Sequence, residues 1–171
     1  SRYGIINSFL FSSPSGIAKT LQKLILDKSI FYHTGITILE TLLSFFLVNF
    51  IGLLVAVLLW WNKTIARILD PYLVVLNSLP KSALAPLFIV WLGNNMKTIL
   101  VAAVSVALFG TILTLYHQYC ETEPDKIKLI QTLGGSKKDV LLKVVIPSSF
   151  PAFLSLMKVN IGLSLVGVII G

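Results

Sequence analysis

Three polar residues inside one hydrophobic stretch are the candidates for binding a solute. Lys81 lies in LPKSALAP, between two prolines, and Asn77 and Ser78 precede it by about one helical turn. A cation at mid-bilayer costs at least about 2.5 kcal/mol on insertion scales, so its side chain should face water or a partner. An ammonium there would attract anions. We therefore predict that Asn77, Ser78 and Lys81 line a translocation pathway. The alternatives are that Lys81 reaches the membrane surface or pairs with an acid such as Glu40.

The sequence carries none of the residue constellations that catalyse reactions. It has no phosphate-binding glycine loop, no pair of catalytic acids and no activated nucleophile. Its single cysteine, Cys120, excludes an internal disulfide and a cysteine metal cluster. His33 and His117 have no neighbours at metal-ligand spacing. We predict no catalytic residue, no metal, no cofactor and no enzymatic activity in this chain.

The composition is that of an integral membrane protein. Of the 171 residues, 56% are hydrophobic and only 12% are charged, whereas soluble domains have about 25% charged residues. The formal net charge of +7 is explained by lysines at membrane boundaries. No runs of interleaved aromatic and basic residues indicate nucleic acid, so we predict a lipid membrane and no nucleic acid among the partners.

Four hydrophobic stretches are predicted to cross that membrane. Residues 42–59 and 99–116 each contain 18 uncharged residues, close to the roughly 20 that a spanning helix needs. Residues 72–92, preceded by a helix start at Asp70-Pro71, would span with a broken middle. Such a break is tolerated only where the backbone is buried in protein or lines a wet cavity. A fourth span begins after Pro147.

Small and polar residues inside the spans predict close contacts between helices. Gly52 and the small residues 102, 103, 107 and 110 suit tight packing. The polar ones are expected to form interhelical hydrogen bonds rather than to bind a ligand: Asn49, Ser105, Asn160 and Ser164.

The start of the chain differs from the remainder. Residues 1–32 are predicted to form an extracytoplasmic segment with a short amphipathic helix, which lies on the membrane surface or packs on the protein's own outer loops. Residues 33–171 form the membrane domain. Because the chain begins with serine and stops inside an apolar run, we expect a fragment of a longer protein.

One long polar segment, residues 122–147, separates the last two spans. Two capping boxes, Thr122 with Asp125 and Ser136 with Asp139, each predict the start of a helix. Gly134 fits the left-handed residue that ends the first helix, and Pro147 is expected to interrupt the second. Two short helices held at an angle would form a rigid, protruding docking surface. The alternative is a plain solvated connector. We call residues 122–147 the docking loop.

The spacing within this loop resembles the cytoplasmic "EAA" loop of ABC importer permeases. Gly134 is followed by nine residues, an aliphatic residue, one further residue and Ile146-Pro147. TLGGSKKDVLLKVVIPSSFP is similar to the form found in the nitrate, sulfonate and taurine branch. FSSPSGIAKTLQKL and LDPYLVVLNSLPKSALAPLFIVWLG resemble two further segments of that branch. The chain departs from the motif at the Glu-Ala-Ala positions, where Lys128 replaces the usual glutamate.

The resemblance implies an all-α membrane bundle of the type I ABC importer permease fold, with residues 33–171 as the permease domain. Its partners would be cytoplasmic ABC ATPase subunits, which hydrolyse the ATP, a second permease subunit, expected to be another copy of this chain, and an extracytoplasmic solute-binding protein. The solute would be a small anion of the sulfonate, taurine or nitrate kind. The residues expected at the ATPase contact are Lys128, Gly134, Gly135, Ser136, Lys137, Lys138 and Pro147.

Other functions remain open at this point. An ion-coupled secondary transporter would show an inverted repeat and coupling carboxylates within the membrane; the sequence shows no repeat and only Glu40 near a span. A membrane enzyme would need a catalytic cluster at one face. A scaffold that transports nothing is a further alternative.

Overall fold

The chain folds into helices, as predicted for the all-α class. The computed structural model describes residues 14–27 and 29–170, without the side chains of Lys81 and a few other residues. No strand occurs within these ranges. The helices are α1 Pro14–Leu26, α2 Ser29–Trp61, α3 Lys63–Ser78, α4 Lys81–Leu92, α5 Met96–Cys120, α6 Pro124–Thr132, α7 Lys137–Val140 and α8 Ile146–Ile170, with a π-helical segment, Leu141–Val145, between α7 and α8.

Within residues 14–27 and 29–170, three continuous helices are long and apolar enough to cross a membrane. They are α2, α5 and the helix that runs from Lys137 to Ile170 through the π segment. Each contains one of the predicted spans. The predicted fourth span, residues 72–92, is divided between α3 and α4, whose 16 and 12 residues are each too short to cross alone. That these two helices cross together stays a prediction.

The break between α3 and α4 lies where the sequence places it. Leu79 and Pro80 are extended, with ψ angles of 140° and 102°, between Ser78 and Lys81. The helix start predicted at Asp70-Pro71 is wrong, however. Helix α3 begins at Lys63, because the side chain of Asn62 accepts hydrogen bonds from the backbone N–H groups of residues 64 and 65. Pro71 lies inside this helix.

The chain divides into two compact units, and the first comprises Ser1–Leu39. It contains α1, where the sequence predicts a short amphipathic helix, and the beginning of α2. The hydroxyl of Ser29 donates to the carbonyl of Leu24 at 3.4 Å. Ile17 and Ile25 of α1 are both half exposed, so an apolar part of this helix is available to a membrane or to another protein surface.

Helix α5 is the centre of the second unit and packs against α3, α4 and α8. A Cβ added at Gly52 of α2 would lie 2.7 Å from Cγ2 of Thr111, and one added at Gly167 of α8 would overlap Cα of Ala103. The alanines at 102, 103 and 107 are buried. The small residues therefore bring helix backbones together, as predicted.

Two contacts fix the direction of α3 against α5. Asp70 lies 3.9 Å from the Nε2 atom of His117. Seven residues further along α3, the Oδ1 atom of Asn77 approaches Gly110, which is seven residues earlier on α5. The two helices are therefore antiparallel, and the break after Ser78 is remote from the docking loop.

Candidate functional site

The first helix of the docking loop ends in a complete Schellman motif. The N–H of Gly135 donates to the carbonyl of Ile130 at 2.9 Å, and that of Gly134 donates to Gln131 at 3.0 Å. Gly134 has φ +80°, the left-handed conformation that the sequence predicts. A Cβ at Gly135 would overlap the Ile130 side chain and lie 2.7 Å from its carbonyl oxygen. Glycine is thus required at position 134 by the positive φ angle and at position 135 because a Cβ would overlap Ile130.

The start of α6 differs from the prediction. The expected capping box of Thr122 with Asp125 is wrong, because Glu123 occupies the cap position and makes no side-chain cap bond. The hydroxyl of Thr122 is buried and has no hydrogen-bond partner among the described residues. Pro124 begins the helix with its φ already restricted and no N–H to satisfy, so this end needs less capping.

The predicted capping box at the start of α7 is present. Ser136 Oγ accepts from the Asp139 N–H at 3.3 Å, and the Asp139 carboxylate accepts from the Ser136 N–H at 3.0 Å and from its hydroxyl at 2.6 Å. Lys143 binds the same carboxylate at 2.8 Å. The bend between the two loop helices is therefore held from both sides.

Pro147 does not interrupt the helix, contrary to prediction. The π segment, Leu141–Val145, precedes it, and the N–H of Ile146 donates to the carbonyl of Leu141, five residues earlier. This wider turn accommodates the missing N–H of proline without a break. The docking loop consequently continues into α8 as one helix.

Lys137 joins the loop to the end of α2. Its Nζ donates to the backbone carbonyl of Trp61 at 2.5 Å, and it lies 5.6 Å and 5.1 Å from the ring centres of Trp60 and Trp61. A cation at a helix C-terminus is favourable because the last carbonyls have no partner within the helix. This contact joins residues 76 positions apart.

The inner side of the loop is fixed in a hydrophobic cluster. Val140, Leu141 and Val145 are at most 6% exposed and pack with Ala56 of α2 and with two residues of α5, Leu115 and Tyr119. Ile127 and Ile130 of α6 contact the same cluster. Any displacement of the loop is therefore transmitted to α2, α5 and α8, since close-packed interiors do not deform freely.

The outer side of the loop carries two exposed leucines that the sequence analysis missed as contact candidates. Leu129 of α6 and Leu133, the residue that caps its C-terminal end, lie one turn apart and are 60% and 76% exposed. Lys128 is also exposed and pairs with Asp125 at 3.6 Å. Lys138 is exposed and has no ion pair within the described residues. The sequence signal for this exposed pair is the helical spacing of Leu129 and Leu133. The other apolar residues of the segment, Ile127 and Ile130, face the hydrophobic cluster.

The three pathway candidates lie at the end of α3 and the start of α4. Asn77 is half-buried against α5, whereas Ser78 is exposed and its hydroxyl donates to the carbonyl of Val74 at 2.8 Å. Lys81 begins α4, and its side chain lies outside the described part of the structure. Glu40 is only 5% exposed and forms no ion pair with a described residue. A shared pathway for these residues stays a prediction.

A buried polar group connects three helices, as predicted in part. The amide of Asn160 on α8 donates to Asn49 of α2 at 3.0 Å, and its oxygen accepts from the hydroxyl of Thr111 on α5 at 3.1 Å. Thr111 was not among the predicted residues. Ser105 instead bonds to its own helix, and the buried hydroxyl of Ser164 has no partner among the described residues.

Comparison with known proteins adds a family match. Residues 48–171 match the family described as binding-protein-dependent transport system inner membrane component. The chain is 29% identical over 168 residues to a probable ABC transporter permease protein of Haemophilus influenzae, covering 98% of this chain and 68% of that protein.

Two further relatives are named for their solutes. The formylaminopyrimidine transport permease protein ThiX of Halalkalibacterium halodurans is 26% identical over 92% of this chain and 64% of its own length. The putative aliphatic sulfonates transport permease protein SsuC of Bacillus subtilis is 26% identical over 98% of this chain and 60% of its own. The chain thus spans roughly two thirds of the length of the relatives that it matches.

Proposed function

This chain belongs to the family of binding-protein-dependent transport system inner membrane components, and from that premise we propose that it couples ATP-driven motion of cytoplasmic ATPase subunits to solute import. It is a multi-pass protein of the cell membrane, with three helices of spanning length and composition. In the proposed transporter, a second copy of the chain completes the pathway and an extracytoplasmic binding protein delivers the solute. ATP is hydrolysed on the separate ATPase subunits.

The observation that carries the proposal is the construction of the docking loop. Its bend is held by a Schellman motif and a capping box, and its inner side packs on α2, α5 and α8. A rigid-body change at an interface can therefore be passed to the spanning helices. A flexible loop would absorb the displacement instead.

The proposed contact surface consists of the outer side of this loop. Leu129 and Leu133 provide exposed apolar area that a partner surface can bury. Lys128 and Lys138 provide charge, and Gly134, Gly135, Ser136 and Pro147 shape the backbone. Lys137 contacts Trp61 within the chain, so we assign it to orienting the loop at this interface.

The proposed solute is a small anion, such as a sulfonate, taurine or nitrate. Support comes from the cation Lys81 at the α3–α4 break and from a relative named for aliphatic sulfonates. A second relative is named for formylaminopyrimidine, so the relatives are not all named for the same solute. Asn77 and Ser78 are proposed to border the pathway beside Lys81.

A cross-linking experiment tests the docking role. In a Cys120→Ser background, Leu133→Cys places a thiol on the loop without removing a hydrogen bond, and Val90→Cys on α4 is a control of similar exposure, 76% against 81%. Each variant of the complete transporter is co-expressed with its ATPase, which carries cysteines around its surface cleft. We expect a disulfide from Leu133→Cys that changes when ATP is added, and none from Val90→Cys.

The opposite result would reject the proposal. If Leu133→Cys stays open to thiol reagents in every state and no ATPase co-purifies, the loop is only a connector. Ion-coupled transport would then be tested next. Glu40 and Lys81 would each be substituted, and solute uptake would be measured under an imposed ion gradient.

A further inference from the structure

A cleft of about 980 Å³ lies beside the docking loop. Its walls come from the end of α2, the first two turns of α3, the last turn of α5 and the inner side of the loop. Trp60 of α2 and Tyr116 of α5 line it, together with Gln131 and Lys137 of the loop. None of these four is among the proposed pathway residues.

The cleft has an excess of positive charge. Lys63 and Arg67, one turn apart on α3, line it and form no ion pair within the described residues. Lys137 provides a third cation. The acid in the lining, Asp70, lies 3.9 Å from His117 and forms no ion pair with Lys63 or Arg67 within the described residues. An anion entering the cleft would meet at least two cations without partners.

The surroundings are those of a membrane interface. Two adjacent tryptophans end the spanning helix α2, where aromatic residues occupy the headgroup level. Leu59, Ala66 and Val140 form a buried apolar wall of the cleft. On the outer side of α3, Ile65 and Ile68 are 43% and 58% exposed beside the cations. A ligand with a negatively charged group and an apolar part would fit these surroundings, because the cations, the tryptophans and the exposed isoleucines lie side by side.

We infer that this cleft binds the phosphate group of an anionic phospholipid through Lys63 and Arg67. Basic pockets between membrane helices on the cytoplasmic side commonly bind such headgroups, and the negative lipids of that leaflet attract them. The cytoplasmic placement of the cleft rests on the proposed function, because the docking loop that lines it is proposed to meet cytoplasmic ATPases. Lipid binding itself does not require an ATPase. Since Gln131 and Lys137 also line the cleft, a bound headgroup would hold the docking loop in the orientation described above.

The test counts lipids that the complete transporter retains. The transporter is placed in discs of phosphatidylcholine with or without phosphatidylglycerol and examined by native mass spectrometry. We expect one retained phosphatidylglycerol per copy of this chain. The double variant Lys63→Gln, Arg67→Gln should weaken its retention by roughly tenfold or more. The control double variant Lys97→Gln, Lys158→Gln removes the same charge away from the cleft and should retain the lipid.

Cys120 gives a second, independent readout because it lines the cleft and is exposed. Phosphatidylglycerol should slow its alkylation severalfold in the original protein and not in the Lys63→Gln, Arg67→Gln variant. Protection by inorganic phosphate alone, without the lipid, would support the phosphate site and identify a soluble source. Equal retention in both double variants, or protection that requires only the ATPase, would overturn the inference. Both readouts are separate from the cross-link at Leu133, so the two proposals fail independently.

Discussion

The docking loop and the α3–α4 break both interrupt long apolar helices, but their backbones are held very differently. In the loop, a Schellman motif ends α6 and a capping box begins α7. At the break, Pro80 occupies the cap position of α4 without any side-chain cap bond. The N–H of Ala83, which donates to the Pro80 carbonyl at 2.9 Å, begins the helical bonding of α4.

This difference suits the docking loop to transmit motion to the helices it contacts, and it suits the α3–α4 break to permit a change of angle. The inner side of the loop is buried in a cluster that includes three helices. Leu79 and Pro80 are exposed, so little packing opposes a change in the angle between α3 and α4. We therefore expect substitutions in the loop to alter its geometry strongly, and substitutions at the break to alter mainly the freedom of α4.

The largest effect is expected from Gly135→Ala. The new methyl group would overlap Ile130 and approach its carbonyl oxygen, to which the Gly135 N–H donates. Overpacking of this kind costs about 1–3 kcal/mol. Hydrogen exchange at residue 135 should accelerate at least about fivefold. Gly162→Ala is the control, because a Cβ there has no neighbour within 4 Å. Unchanged exchange at residue 135 would show that the loop can relax around the methyl group.

The next largest effect is expected from alanine substitutions at Gly134 and Gly93, which should differ in their effect on transport. Both have φ +80°, but Gly93 also has ψ 173°, a combination that essentially only glycine adopts and that costs other residues about 1–3 kcal/mol. Alanine at position 134 should cost about 1–2 kcal/mol in backbone strain. Gly93→Ala should therefore lower the thermal unfolding temperature at least as much as Gly134→Ala, whereas only Gly134→Ala should reduce ATP-driven uptake. Equal losses of uptake would mean that general stability, rather than the shape of the loop, limits transport.

A smaller effect is expected from Ser136→Ala, which removes the hydroxyl of the capping box. Loss of a serine cap costs about 1 kcal/mol, so hydrogen exchange at the Asp139 amide should rise roughly fivefold. Ser136→Thr keeps the hydroxyl and is the matched control. If both variants exchange alike, the Lys143–Asp139 ion pair is sufficient to hold the bend.

The smallest change in stability is expected from Pro80→Ala, within about 0.5 kcal/mol for an exposed position. Alanine restores an N–H and frees Leu79 from the restriction that precedes proline, so α3 and α4 can join. Spin labels at Tyr72→Cys and Val90→Cys, both exposed, should then show a narrower distance distribution in a Cys120→Ser background. An unchanged distribution would mean that the break is fixed by packing elsewhere.

Most features encoded within a few residues were predicted correctly. Gly134, the Ser136–Asp139 box and the break at Pro80 depend on local backbone chemistry, and the spans depend on apolar length. The capping box of Thr122 with Asp125 is also local, but it is wrong. The errors at Pro71 and Pro147 share a cause, because proline was taken to mark a helix boundary in both places, a start at Pro71 and an interruption at Pro147. Neighbouring turns accommodate it instead.

Which distant residues contact one another could not be predicted, although Gly52, Asn49 and Asn160 were expected to make contacts between helices. The bond of Lys137 to Trp61 and the place of Thr111 beside Asn160 depend on how the helices pack, which the sequence does not state locally. The exposure of Leu129 and Leu133 depends on which side of α6 meets the hydrophobic cluster. The solute pathway through Asn77, Ser78 and Lys81 stays a prediction for the same reason.

The π segment, Leu141–Val145, sets the direction in which the docking loop points. Each residue turns an α-helix by about 100°, and a π turn holds one residue more than an α turn. Deleting a single residue from this segment would therefore turn residues 122–140 about a quarter of a revolution around the axis of α8, with the Schellman motif and the capping box intact. The azimuth of the proposed ATPase contact relative to the spans is thus set by the length of five residues, separately from the chemistry of the contact itself.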